Sequence, residues 1–255
     1  MRQVTNHDGL AVANRLPDWA PGGGELVFVS QDTTGLGNLF AIRIDGTGLR
    51  QLTSDTAYYD NPAWSPNGDW IAVERGDASG VWELHLVSAD GAEAVKVAEK
   101  VYHPAWSPDG DRLVVVAESQ EAYIGVIMQL DGTVERVVVD LAVKPGEGLG
   151  SIKWSPDESR LAFDAVRGTN FDLYVVGVDG SNLRRLTTSP AVDARPEWSP
   201  TGDWLVFNTT RDFGSVGGIE RWEEFELYMM ELETGKLVRL TENEWFDAHP
   251  DWCTR

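Results

Sequence analysis

Pro104-Ala105-Trp106-Ser107-Pro108-Asp109-Gly110 recurs along the whole chain with small changes. Pro62-Ala63-Trp64-Ser65-Pro66-Asn67-Gly68 and Pro196-Glu197-Trp198-Ser199-Pro200-Thr201-Gly202 are near-copies. Lys153-Trp154-Ser155-Pro156-Asp157 keeps the heart of the motif, and Pro17-Asp18-Trp19-Ala20-Pro21 is a worn version. Pro250-Asp251-Trp252 begins a sixth copy. The tryptophans at 19, 64, 106, 154, 198 and 252 are spaced by 45, 42, 48, 44 and 54 residues. A period of that length is the mark of a repeat architecture, in which each unit buries its apolar face only against its neighbours.

Working outward from Trp106, the Ser-Pro-Asp-Gly tetrad is turn chemistry: proline fixes φ, and Asp-Gly supports a tight reversal. Arg112 to Ala117 is rich in β-branched residues and predicts a strand, as do Tyr123 to Met128 and Val134 to Val139, with Asp131-Gly132 turning the chain between the last two. With the strand through Ala105-Trp106, this makes four antiparallel strands per repeat. The other repeats follow the same grammar. Their later strands are Leu26 to Ser30, Leu39 to Ile44 and Leu49 to Leu52 in the first, and Trp70 to Glu74, Trp82 to Val87 and Ala94 to Val97 in the second. In the fourth they are Leu161 to Asp164, Leu173 to Val178 and Leu183 to Leu186, and in the fifth Trp204 to Asn208, Glu226 to Leu232 and Leu237 to Leu240. Helical periodicity is absent, so the fold class is all-β. Four-stranded sheets at this period predict the blades of a β-propeller in a single domain over 1–255, with blades near 14–58, 59–100, 101–148, 149–192 and 193–246. Five blades are complete. Residues 2–5 resemble a fourth strand and 249–253 a first strand, so the alternative is a six-bladed ring whose incomplete last blade is built from both termini.

The 255 residues carry 41 Asp and Glu against 21 Lys and Arg, a formal charge of −20. Such a field repels phosphate backbones and anionic lipid, which argues against nucleic acid and membrane surfaces as partners. No run approaches the ~20 apolar residues of a membrane-spanning helix. The single cysteine, Cys253, excludes an intramolecular disulfide. The polar start, Met1 to Gly9, has no signal-peptide pattern, so the expectation is a cytoplasmic chain or one that has shed a leader.

The pattern Pro-x-Trp-Ser-Pro-Asp-Gly, then Leu-Ala-Phe, an apolar strand, Asp-Gly and Arg-Arg-Leu-Thr resembles the TolB-type β-propeller repeat. In this sequence it is spelled by Trp154-Ser155-Pro156-Asp157, Leu161-Ala162-Phe163, Leu173-Tyr174-Val175-Val176, Asp179-Gly180 and Arg184-Arg185-Leu186-Thr187. Gln51-Leu52-Thr53 and Arg239-Leu240-Thr241 repeat the last element. The resemblance implies a propeller and a periplasmic or extracellular setting. For function it is broad, because similar propellers serve as periplasmic binding proteins, as gating domains of prolyl-oligopeptidase-type proteases and as sugar lyases.

Strand direction places the candidate site. If the first strand of a blade runs downward, both regular turns of the blade lie at its bottom, and the irregular segments lie at its top, where loops on a rigid scaffold usually carry binding. The residue three before each tryptophan then rims the mouth of the channel: Leu16, Asn61, His103, Ser151, Arg195 and His249. Tyr59, Asp60, Tyr102, Asp193, Phe246 and Asp247 join them as candidate ligand-binding residues. Aromatic faces beside polar groups suit a peptide side chain or a sugar. The competing reading is that residues before the proline serve only to hydrogen-bond neighbouring blades. His103 and His249 are the candidate metal ligands, but two histidines in separated repeats fall short of the three convergent ligands a metal usually needs, so no metal or cofactor is expected. The Asp-Gly turns offer too few oxygens for calcium. The segment from Thr210 to Phe225 is nine residues longer than its counterpart from Ala165 to Phe171; Arg211, Phe213, Arg221 and Trp222 make it a candidate partner-docking loop.

No nucleophile elbow or phosphate-binding loop is present. The expected function is a non-enzymatic module binding a protein, peptide or carbohydrate. The alternatives are a carbohydrate-active lyase or hydrolase using the rim His, Arg and Asp residues, and a propeller domain of a larger protease or sensor.

Overall fold

A computed structural model describes residues 13–119, 122–141, 148–167, 170–213, 225–242, 247 and 249–252. It contains five four-stranded antiparallel sheets in chain order, the blades of a β-propeller. The first is β1 (Ala13–Trp19), β2 (Glu25–Gln31), β3 (Gly37–Arg43) and β4 (Arg50–Gln51). The second is β5 (Tyr58–Trp64), β6 (Trp70–Gly76), β7 (Trp82–Ser88) and β8 (Ala94–Glu99). The third is β9 (Val101–Trp106), β10 (Arg112–Glu118), β11 (Tyr123–Gln129) and β12 (Val134–Val139). The fourth is β13 (Gly148–Trp154), β14 (Arg160–Arg167), β15 (Asn170–Gly177) and β16 (Arg184–Arg185). The fifth is β17 (Asp193–Trp198), β18 (Trp204–Thr209), β19 (Glu226–Glu231) and β20 (Leu237–Arg239), with a 3-10 turn over Arg211–Phe213 before β19.

The described residues hold no α-helix, and thus none long and apolar enough to cross a membrane. They also hold no sixth sheet. Residues 249–252 are irregular, not the first strand that their motif predicts. Each of the other first strands has a second strand to pair with, and 249–252 pair with none. Residues 2–5 lie outside the described residues.

The chain forms two compact units. Of the described residues, 13–113 and 130–133 make the first, and the second takes the rest. In the first unit, Val27, Val29, Leu39 and Ala41 of one blade pack against Tyr59, Trp64, Ile71 and Val73 of the next, all nearly inaccessible. In the second unit, Ala162 and Val175 pack against Trp198, Leu205 and Leu232. Trp64, Trp106, Trp154 and Trp198 are all buried. Removing one such side chain costs about 3–5 kcal/mol. The indole N–H of Trp106 donates to the Ala63 carbonyl (2.9 Å), and that of Trp198 to the Lys153 carbonyl (3.2 Å), in each case the residue before the motif tryptophan of the preceding blade.

The motif serine closes the turn that follows it. Its Oγ accepts the backbone N–H of Trp70, Arg112, Arg160 or Trp204 at 2.9 to 3.1 Å. Its hydroxyl donates to Asn67, Asp109 or Asp157 two residues on. Hydrogen bonds from Ser155 and Ser159 hold the Asp157 carboxyl down to about 2.

The Arg-Leu-Thr element has an equally local cause. The hydroxyls of Thr53, Thr187 and Thr241 accept the N–H of Leu39, Leu173 and Leu227, at 3.0, 2.9 and 2.9 Å. They donate in turn to Asn38, Asp172 and Glu226. Arg185 and Arg239 complete the cluster, bonding Asp172 (2.5 Å) and Glu226 (3.2 Å) while reaching back to the threonine carbonyl. This stitches the fourth strand to the third with both buried carboxylates paired, which is what allows β16 and β20 to be so short.

Candidate functional site

The position three before each tryptophan has a backbone of its own. Leu16, Asn61, His103, Arg195 and His249 all adopt left-handed φ, between 46° and 59°. Each precedes a proline. Proline has no N–H to give to the ladder, and the register of β1 with β2, β5 with β6 and β17 with β18 shifts there as a bulge. Ser151, followed by Ile152 instead of proline, lacks the positive φ, although the register of β13 with β14 shifts there too.

The residue ten after each tryptophan decides what the bulge bonds to. Where it is an acid, it ties two blades together. Glu74 Oε1 accepts the Asn61 side-chain amide of its own blade (2.7 Å) and the backbone N–H of His103 from the next (2.6 Å). Asp164 Oδ1 accepts the Ser151 N–H and hydroxyl (3.1 and 2.8 Å) and the Arg195 N–H (3.0 Å). Burial pushes the Asp164 carboxyl up, with the Ser151 bonds and the Arg195 N–H and charge opposing it. Gly150 is required beside it, since a Cβ there would lie 1.9 Å from Asp164 Oδ2. Where the tenth residue is Val29 or Val116 there is no acceptor; Asn61 N then bonds its neighbour Asp60 (3.0 Å), and Ser151 turns to Asp164.

The side chains at these bulges remain half-buried at Asn61, His103, Arg195 and His249, whereas Leu16 and Ser151 are buried. His103 Nδ1 stands 4.0 Å from Glu74 Oε1, with its side chain 27% exposed. Asp60 is half-buried and faces Arg15 at 3.6 Å. Tyr102 and Asp247 are also half-buried. Two of the predicted rim residues are placed elsewhere. Tyr59 is 3% exposed within the core of the first unit, its hydroxyl donating to Asp55 (3.2 Å). Asp193 is fully buried, bonded by Thr209 (2.5 Å), Arg211 (2.8 Å) and Ser189 (3.2 Å).

Arg211, expected on a docking loop, is pinned inward. It bonds Asp193 and Thr209, and its guanidinium lies over the rings of Phe207 and Tyr228 at 5.6 and 5.1 Å. Phe213 ends the 3-10 turn, and its side chain, like Arg221, Trp222 and Phe246, lies outside the described residues. Among the described residues no group of three or more His, Cys, Asp or Glu is placed to hold a metal ion.

Sequence reasoning missed Glu74, Asp164 and Asn208, the residues ten after a tryptophan. The available signal was a polar residue inside an otherwise apolar second strand, as in Ile71-Ala72-Val73-Glu74.

The family model described as "TolB beta propeller domain" matches residues 1–146. The chain belongs to the TolB β-propeller domain family. The Tol-Pal system protein TolB of Bordetella pertussis is 30% identical over an alignment of 269 positions that covers 80% of this chain and 61% of that protein. The chain spans between 10% and 61% of the length of such TolB relatives. The solved structure described as a TolB from Agrobacterium tumefaciens superposes with a TM-score of 0.75 at 21% identity, covering 89% of this chain and 80% of that one. Porphyromonas gingivalis dipeptidyl peptidase 4 contains a similar fold, with a TM-score of 0.55 at 10% identity over 89% of this chain and 37% of the peptidase. These structures share the fold; the TolB-like propeller is in general that of a binding module.

Proposed function

We propose that the chain is a non-enzymatic interaction module whose partner is a protein or peptide, held within a unit by the polar side chains at the bulges of its first strands, Asn61 and His103 in the first unit and Arg195 and His249 in the second. The observation that carries this reading is the identity of the residues in left-handed φ. A glycine at 103 or 195 would donate the same backbone N–H to Glu74 or Asp164 without strain, yet these positions hold His103 and Arg195, and Asn61 and His249 share the left-handed φ. Left-handed backbone in a non-glycine residue costs about 1–2 kcal/mol, and strain of that kind gathers where a side chain is needed for function. Each of these residues is half-buried.

His103→Gly and Arg195→Gly test the reading, because they keep the N–H and remove the side chain. Both variants are expected to melt at or above the parent temperature and to lose most of the affinity for a protein partner captured by the parent. Unchanged capture by both would defeat the proposal.

The carbohydrate-active alternative is separated by offering acidic and neutral oligosaccharides to the parent with and without divalent cations. Turnover that disappears in His249→Ala would replace the binding reading with an enzymatic one. The likeness to the dipeptidyl peptidase favours a second reading, a propeller that serves a larger peptidase. A catalytic domain in the same reading frame would establish it.

A further inference from the structure

In the first unit, the first blade meets the second through a joint of three parts. Arg50, three before Thr53, donates to the Ala89 carbonyl of the second blade (3.2 Å) and to Glu25 of its own (3.1 Å). Glu25 stands six after the motif tryptophan and closes the ion pair at 3.0 Å. In the second unit, the fourth blade repeats half of this arrangement. Arg184, three before Thr187, donates to the Leu232 carbonyl of the fifth blade (3.2 Å). The residue six after Trp154, however, is Arg160 and not an acid. Arg160 donates to the Gly202 carbonyl (3.1 Å), and its guanidinium lies over the Trp198 ring at 4.8 Å. Each of the two guanidiniums thus commits one nitrogen to a main-chain carbonyl, and among the described residues neither forms an ion pair. Asp157 registers the Arg160 charge, but its oxygens are taken by Ser155 and Ser159. Both arginines line one cavity of about 420 Å³ between the two blades.

We propose that this cavity takes a carboxylate, seated between Arg160 and Arg184 in the role that Glu25 fills at the first joint. The site uses none of the bulge residues, so it stands apart from the interaction reading above. A guanidinium carries five N–H donors, and most of those on Arg160 and Arg184 remain for a ligand. The carbonyl anchors and the Trp198 ring hold both groups in place before a ligand arrives, which reduces the ordering cost of binding. Arg160 is half-buried and Arg184 exposed, so the pair is open to solvent. Asp203, Glu231 and Glu233 also line the cavity. Two cations against three acids leave a small negative balance, whose repulsion doubles for a dianion. A carboxylate, whose two oxygens match the guanidinium fork, is therefore favoured over phosphate.

The test is NMR of isotope-labelled protein, following the arginine Nε–H signals during titration with sodium acetate at an ionic strength held constant with sodium chloride. The Arg160 and Arg184 signals are expected to shift saturably, and that of Arg50, already paired with Glu25, to stay in place. Inorganic phosphate is expected to bind more weakly than acetate. Arg184→Gln is expected to weaken acetate about tenfold or more, the scale of one charge-assisted hydrogen bond. Arg160→Glu, which writes the acid of the first joint into the fourth blade, is expected to abolish the response. Should it fail to fold, Arg160→Gln gives the same readout. The tripeptide Ala-Glu-Ala, acetylated and amidated at its ends, separates two sources of the carboxylate. Tighter binding than acetate assigns the site to an acidic side chain of a partner, and binding no tighter assigns it to a free small acid. Shifts that do not saturate, equal shifts at Arg50, phosphate binding more tightly than acetate, or an acetate response unchanged in Arg184→Gln would overturn the site.

Discussion

Glu197, the residue before the fifth motif tryptophan, forms an ion pair with Lys153, the residue before the fourth. Burial pushes the Glu197 carboxyl up to about 7; Lys153 opposes the shift and Asp251 adds to it. The folded pKa lies above the ordinary value of 4.5, so between the two the folded state binds a proton that the unfolded state has released. The stabilisation from Glu197 is fully present below the lower value and is lost as pH rises through the higher. Denaturant midpoints measured from pH ~4.5 to ~7 are therefore expected to fall more steeply in the parent than in Glu197→Gln. Parallel curves would remove Glu197 as the cause. A second residue-scale prediction concerns Gly132, whose φ is +87° and whose Cβ, if present, would lie 2.3 Å from the Val97 carbonyl oxygen. Since that neighbour is backbone, it has little room to yield. Gly132→Ala is expected to destabilise the fold by about 1–3 kcal/mol, read as a lower urea midpoint.

Strands are held to one another by a few side chains that recur at fixed offsets. Thr187→Val keeps the shape of the residue but leaves the Leu173 N–H without its acceptor and Asp172 without one donor. The expected loss is about 1–3 kcal/mol, with hydrogen exchange accelerating first at β15 and β16. Glu74→Ala is expected to do more damage than Val29→Ala does to its own bulge, because only Glu74 collects bonds from two blades. Elements of this kind were well legible in the sequence. Ser-Pro-Asp-Gly and Asp-Gly fix turns by local chemistry, and the continuous runs of Val, Ile and Leu between them read as strands. The candidate site was legible only in its backbone address. The offset from tryptophan picked out Asn61, His103, Arg195 and His249, and proline after each of them accompanies their shared left-handed φ. It did not separate Asp193 or Tyr59 from them, because pleat parity near a bulge reverses, and one residue of slip sends a side chain inward. Nor did it foresee that Arg211 would stack on Phe207 and Tyr228, since a loop arginine shows no partner in its own stretch of chain.

At the scale of the molecule, a charge of −20 sets how a partner arrives more than how tightly it stays. A basic protein partner is expected to associate faster at low ionic strength, and its on-rate, measured in stopped flow, should fall steeply from ~0.05 to ~0.5 M salt while the off-rate changes little. A salt-independent on-rate would mean that the contact lies where the field has been locally cancelled. The joints between blades have a wider consequence. Trp106 and Trp198 donate to main-chain carbonyls, Arg50 and Arg184 do the same at Ala89 and Leu232, and the Gly91 and Gly132 turns rest on the carbonyls of Leu52 and Val97. Every polypeptide offers a carbonyl at every residue, so these sockets do not depend on the neighbour's side chains. A copied unit would find its seat ready, and gene duplication could alter the number of copies without any interface having to be invented anew.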